Sequence, residues 1–182
     1  MASILKLYLD IALLRRGPED LPSSKALLFW TVIAFITLNA LLMSVFPTPE
    51  GSWLPPLLVA LGFNLVWYRV VLTLFGKPER FLQTVTAYIG FSCIVRLITV
   101  PLAAMMAPYA ANPDTMPAPL LLVGLPVSAY LIYVAVRILK SAIERPVVQC
   151  LLLVLLQVLL EFLLVAGTLG EGAAASPAGT VG

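Results

Sequence analysis

Residues 146–168 read PVVQCLLLVLLQVLLEFLLVAGT, a run broken by a single charge, Glu161. As a helix rising 1.5 Å per residue it spans about 34 Å, more than the ~30 Å of a bilayer's hydrocarbon core. A soluble helix keeps a polar face for water, and this one has none. The run therefore reads as a transmembrane helix.

Working back along the chain, the pattern recurs four times, over Ala26 to Phe46, Trp53 to Phe75, Phe81 to Met106 and Pro119 to Leu139. Each run is long enough to cross with some tilt. The whole chain is 61% hydrophobic and 11% charged, with a mean hydropathy of +1.03. An average soluble domain is roughly 25% charged, so a water-soluble fold is excluded. The expected fold is all-α: a polytopic bundle of five transmembrane helices forming one membrane domain over residues 26–168. Breaks at Pro47, Pro49, Gly51, Gly76, Pro78, Pro108, Pro113, Pro117 and Pro146 keep the connections short, so neighbouring helices should run antiparallel.

Cations set the orientation. Lys6, Arg15, Arg16 and Lys25 precede the first span, Lys77 and Arg80 lie between the second and third, and Lys140 and Arg145 between the fourth and fifth. The segments Pro47 to Ser52 and Ala107 to Ala118, and the residues after Thr168, hold no Lys or Arg. The positive-inside rule then places the N-terminus in the cytoplasm and the C-terminus outside. In a bacterium the membrane would be the cytoplasmic (inner) one. The net charge of +2 reports this topology and not nucleic-acid binding. Trp30, Trp53, Trp67, Tyr68 and Tyr109 fall where interfacial aromatic anchors are expected.

The leader, residues 1–25, places Ile4, Leu7, Tyr8, Ile11 and Leu14 at helical spacing, while Lys6 and Asp10 interrupt any spanning run. An interfacial amphipathic helix is expected, ended by Gly17-Pro18. Leu5, Leu9 and Leu13 widen its apolar stripe, so lying flat on headgroups and packing on the bundle both fit. Residues 169–182, rich in Gly, Ala, Pro, Ser and Thr, read as a disordered tail.

Polar groups inside the spans draw the functional reading. Arg69 and Arg137 sit near cytoplasmic helix ends, where a long side chain reaches the headgroups. Arg96 and Glu161 lie deeper. Each is 15 positions beyond its helix start, Phe81 or Pro146, or about 22 Å along helices running the same way. Two opposite charges at one height, each costing about 2.5–3.5 kcal/mol if left alone, should form an ion pair. Ser92 and Thr99 share a face with Arg96, and Gln157 lies one turn from Glu161; Asn64 and Asn39 would extend this intramembrane polar network. Two readings stand: a buried pair that fixes helix register, or an ion or proton path.

Gly124 with Ser128, and Thr86 with Gly90, give small-residue steps for close helix approach, and Pro101 and Pro126 should kink their helices. Cys93 and Cys150 differ in expected height by about 12 Å, so no disulfide is expected. The chain contains no histidine, the commonest metal ligand and general base. No phosphate-binding loop, metal-spaced carboxylate cluster or activated nucleophile is evident, and Glu50, Glu79, Asp114, Glu144 and Glu171 are scattered among loops and the tail. No enzymatic activity, cofactor, metal or catalytic residue is expected.

The stretch Phe75-Gly76-Lys77-Pro78-Glu79-Arg80-Phe81-Leu82-Gln83-Thr84, followed by Tyr88, Gly90 and Pro101, resembles the bacterial branch of the Yip1 family. That resemblance implies five spans after a cytoplasmic N-terminal part, and no catalytic residues. Taken together, the sequence leads to a non-enzymatic membrane protein, a scaffold or accessory subunit acting through helix packing. Its partners would be the lipid bilayer and other membrane proteins or copies of itself. The alternative is a small transporter or channel component using Arg96 and Glu161.

Overall fold

The computed structural model describes residues 2–46, 53–109, 112 and 117–174. The described residues form six α-helices: α1 (Ala2–Ala12), α2 (Lys25–Val45), α3 (Leu54–Leu74), α4 (Phe81–Met106), α5 (Ala118–Ile143) and α6 (Val147–Ala174). Short 3-10 turns at Pro18–Asp20, Pro78–Arg80 and Ala107–Tyr109 join or extend them. There is no strand among the described residues. Five helices, α2 to α6, are long and apolar enough to cross a membrane, which is compatible with a multi-pass membrane protein.

Helix ends follow local chemistry. Ser24 caps α2, its Oγ accepting from Leu27 N at 3.3 Å. Gly76 ends α3 at φ +71°, with Lys77 N bonded to Leu72 O and Gly76 N to Thr73 O, the six-residue cap that a left-handed residue closes. The same cap ends α1 earlier than Gly17-Pro18: Leu14 adopts φ 60°, Arg15 N bonds Asp10 O and Leu14 N bonds Ile11 O. A leucine in that conformation costs about 1–2 kcal/mol. Its side chain packs against the cluster of Ile11, Ala12 and Leu21, which offsets the strain. Helices α4 and α5 continue through Pro101 and Pro126. Helix α6 continues to Ala174, beyond Thr168, and the rest of the tail read as disordered lies outside the described residues. Most of the two connections without cations, 47–52 and 107–118, also falls outside them.

Helix α4 organises the bundle. In its first three turns Thr84, Val85, Thr86, Ala87, Ile89, Gly90 and Phe91 are all buried, so no face of that stretch is free. It packs against α1, α2, α3 and α5, while α6 packs on α3 and α5. Helices α3, α4, α5 and α6 thus form a four-membered ring in which α4 and α6 stand diagonally, and α2 joins from outside along α4. One apolar core fills the ring, including Tyr68, Leu72, Val85, Leu139 and Val154.

Helix α1 packs on the bundle. Ile11 is 2% exposed and belongs to a second core with Phe91, Val134 and Ile138. Gly90 makes room: a Cβ there would run into the Tyr8 ring. The Tyr8 hydroxyl meets Thr31 Oγ1 of α2 at 2.7 Å, and Tyr130 of α5 donates to Ala12 O. Partial burial raises the Tyr8 phenol above its usual pKa, and the Thr31 hydrogen bond opposes that rise.

The three cation-bearing connections meet at one end. Gln83 Nε2 donates to Leu21 O at 2.8 Å, tying the start of α4 to the segment before α2. Arg80 Nη1 donates to Ser141 O at 2.8 Å and to Ala142 O at 3.3 Å, covering the last carbonyls of α5, where a cation suits the helix dipole. Glu144 follows in the left-handed region at φ 55°. Its carboxylate accepts from Lys77 Nζ at 3.0 Å and Arg80 Nη2 at 2.5 Å.

Candidate functional site: a polar cavity inside the bundle

Halfway along the bundle lies a cavity of about 190 Å³, room for several waters. All five long helices contribute to its wall: Phe35 from α2, Asn64 from α3, Ser92, Arg96 and Thr99 from α4, Leu131 from α5 and Glu161 from α6. Equal rise along α4 and α6 brings Arg96 and Glu161 to this one space.

The side chains are held differently from a closed ion pair. Asn64 is the hinge of the polar chain. Its Oδ1 accepts from Gln157 Nε2 at 2.6 Å, while its Nδ2 donates to Glu161 Oε2 at 3.1 Å and to Ala60 O at 2.7 Å. Gln157 and Glu161 sit one turn apart on α6, so one amide on α3 grips two successive turns. Arg96 instead lies over the Phe35 ring, 5.8 Å from its centroid, a cation–π contact. Among the described residues Arg96 and Glu161 have no N···O approach within 4 Å. The physical reason is lateral: α4 and α6 stand on the diagonal, with α3 and α5 between them.

The remaining network residues divide. Thr99 lines the cavity. Ser92 also lines it but spends its hydroxyl on Tyr88 O of its own helix at 2.8 Å. Asn39 is buried, and its amide donates to Phe35 O one turn earlier at 2.7 Å. Near Gln157, the ring of Tyr68 packs at a tilt of 50° against Tyr88, 5.0 Å between centroids. Tyr68 Oη and Gln157 Oε1 are buried without a well-aligned hydrogen bond, and both tyrosine hydroxyls lie in reach of the Gln157 amide.

Chemically, the cavity offers a cation and a carboxylate on the walls of a space that holds several waters, with amide and hydroxyl groups beside them. Among the described residues no three His, Cys, Asp or Glu side chains converge as a metal site, and Cys93 and Cys150 are free thiols. Sequence reading missed Phe35 and Glu144. A complementary-charge search across connections on the same side, Lys77 and Arg80 against Glu144, would have found the second. Arg69 lies over the Phe81 ring at 5.6 Å, and Arg137 is exposed. No family model, curated protein or solved structure matches the chain.

Proposed function

We propose that the chain is a non-enzymatic multi-pass membrane protein that acts through helix packing, as a scaffold or accessory subunit, with its basic end in the cytoplasm. The observation that carries this reading is where the polar side chains spend their bonds. Gln157, Asn64 and Glu161 tie α3 to α6, Tyr8 meets Thr31 across α1 and α2, and Glu144 gathers Lys77 and Arg80. These contacts join helices and converge on no reacting centre. Membership of the Yip1 family, suggested by residues 75–84, belongs to the same proposal, supported by the five-span layout.

A second reading, a small carrier or channel component, is favoured by one specific feature: Arg96 and Glu161 face a cavity instead of closing on each other. Ionisable groups at such depth are uncommon without a partner or a pathway. Purified protein in liposomes separates the two. Proton or monovalent-cation flux abolished by Glu161→Gln would reject the scaffold. Silence across those ions, with a membrane protein retained on gentle-detergent purification, would reject the carrier. Reporters fused before Met1 and after Gly182 test the orientation: signals from the same compartment would overturn it.

A further inference from the structure

Arg96 and Glu161 face one cavity of about 190 Å³ and leave each other unbound. No N···O approach between them falls within 4 Å among the described residues, yet each lies in the field of the other's charge. Arg96 is placed over the Phe35 ring and makes no hydrogen bond among the described residues. Its N–H donors, a planar fork suited to a carboxylate, are unspent. Glu161 accepts from Asn64 through Oε2, and its other oxygen, Oε1, is left to accept from something else.

Size and access narrow what could sit there. At one water per ~30 Å³, the space takes a molecule of about six heavy atoms. Toward the basic end of the bundle it is shut, since Tyr68, Val85 and Gln157 are no more than 2% exposed. Away from that end it adjoins a groove of about 260 Å³ between α4 and α5, and the two spaces share Thr99 and Leu131. The groove continues past Ala103 and Ser128 to Met106 at the end of α4. The charged cavity is therefore approached from one side only.

A simple ion answers one wall and opposes the other: a cation beside Glu161 faces Arg96, and an anion beside Arg96 faces Glu161. A molecule carrying both a carboxylate and an ammonium answers both walls, and it adds no net charge at a depth where charge is costly. We propose that this cavity binds a short zwitterion of the α-amino acid class, of the size of glycine or alanine, with its carboxylate on Arg96 and its ammonium on Glu161 Oε1. Asn64 and Phe35 hold the two charged side chains apart for it. Occupancy goes beyond the scaffold and carrier readings alike, because binding requires no flux and an absence of flux leaves it standing.

The test uses full-length protein in phospholipid nanodiscs, titrated with radiolabelled glycine and alanine. Both should bind and compete with each other. Acetate and methylamine, each carrying one of the two charges, should fail to displace them at the same concentration. Arg96→Met and Glu161→Gln should each weaken binding by about 10-fold or more, the scale of one charge-assisted hydrogen bond. Ser92→Leu keeps both charges and fills the cavity, so it should abolish binding even where a charge variant fails to fold. Lys6→Gln, an exposed cation outside the cavity, should bind as wild type does. No binding of either amino acid at millimolar concentration would overturn the proposal and leave the cavity to water. Equal displacement by acetate or methylamine alone would overturn it in favour of a single ion, and unchanged binding in Arg96→Met or Ser92→Leu would place the ligand elsewhere.

Discussion

Asn64 on α3 accepts a hydrogen bond from Gln157 and donates one to Glu161, so a single amide reads two side chains on α6 in opposite senses. Only a group with both a donor and an acceptor can do this. The register of α3 against α6 is therefore written into one residue. Sliding α6 by one position would turn Gln157 and Glu161 about 100° away from it.

Replacing Asn64 tests that grip. Asn64→Leu removes both bonds and should destabilise the bundle by about 1–2 kcal/mol, given that interhelical hydrogen bonds in membranes are worth roughly 0.6–1.7 kcal/mol each. Asn64→Asp should be worse, because it keeps an acceptor for Gln157 but sets a second carboxylate against Glu161. Adding Glu161→Gln should recover most of that extra loss. Unfolding in mixed micelles measures all four chains, and an Asn64→Asp variant no worse than Asn64→Leu would contradict the contact.

How much of this could be read from the chain follows from what a one-dimensional pattern carries. Apolar run length is local, so spans starting at Ala26 and Phe81 appear as helices from Lys25 and Phe81. Height along a helix is also local, which is why Arg96 and Glu161 share one cavity. Lateral position is not. Nothing in the spacing says that α4 and α6 stand on a diagonal, so equal height alone predicts a contact that the packing does not make. The docking of α1 on Gly90 depends on the same missing dimension.

Neutralising the two cavity charges probes their coupling at a distance. Arg96→Met leaves Glu161 without its opposite charge across the cavity, and Glu161→Gln leaves Arg96 likewise. The double variant should be less damaging than the sum of the singles by about 1 kcal/mol or more, a coupling typical of residues sharing a network. Phe35→Leu removes the ring under Arg96 and should cost about 0.5–2 kcal/mol. That loss should vanish in an Arg96→Met background beyond what the smaller side chain accounts for, and a double-mutant cycle with no coupling would exclude the stacking.

Gly90→Leu should undock α1 while leaving the five long helices in place, because its side chain would enter the space held by the Tyr8 ring. Limited proteolysis reads this directly. Cleavage near Arg15 and Arg16 should quicken in Gly90→Leu and less so in Tyr8→Phe, which loses only the Thr31 bond. Equal protection of wild type and Gly90→Leu would mean that α1 is not held there.

Glu144 gives the bundle a dependence on acid. The hydrogen bonds from Lys77 and Arg80 hold its carboxyl below the ordinary value of 4.5. A carboxylate with a depressed folded pKa contributes stability that is fully present above its unfolded pKa and is lost as pH falls through the folded one. The wild type should therefore be more stable than Glu144→Gln at about pH 7, and the gap should close as pH falls through the carboxyl's depressed pKa, below the ordinary 4.5. The site is exposed, so the gap should also shrink as salt is raised. Thermal unfolding of both chains across that pH range is the measurement. A difference independent of pH would show that Glu144 contributes through its left-handed backbone and not through its charge.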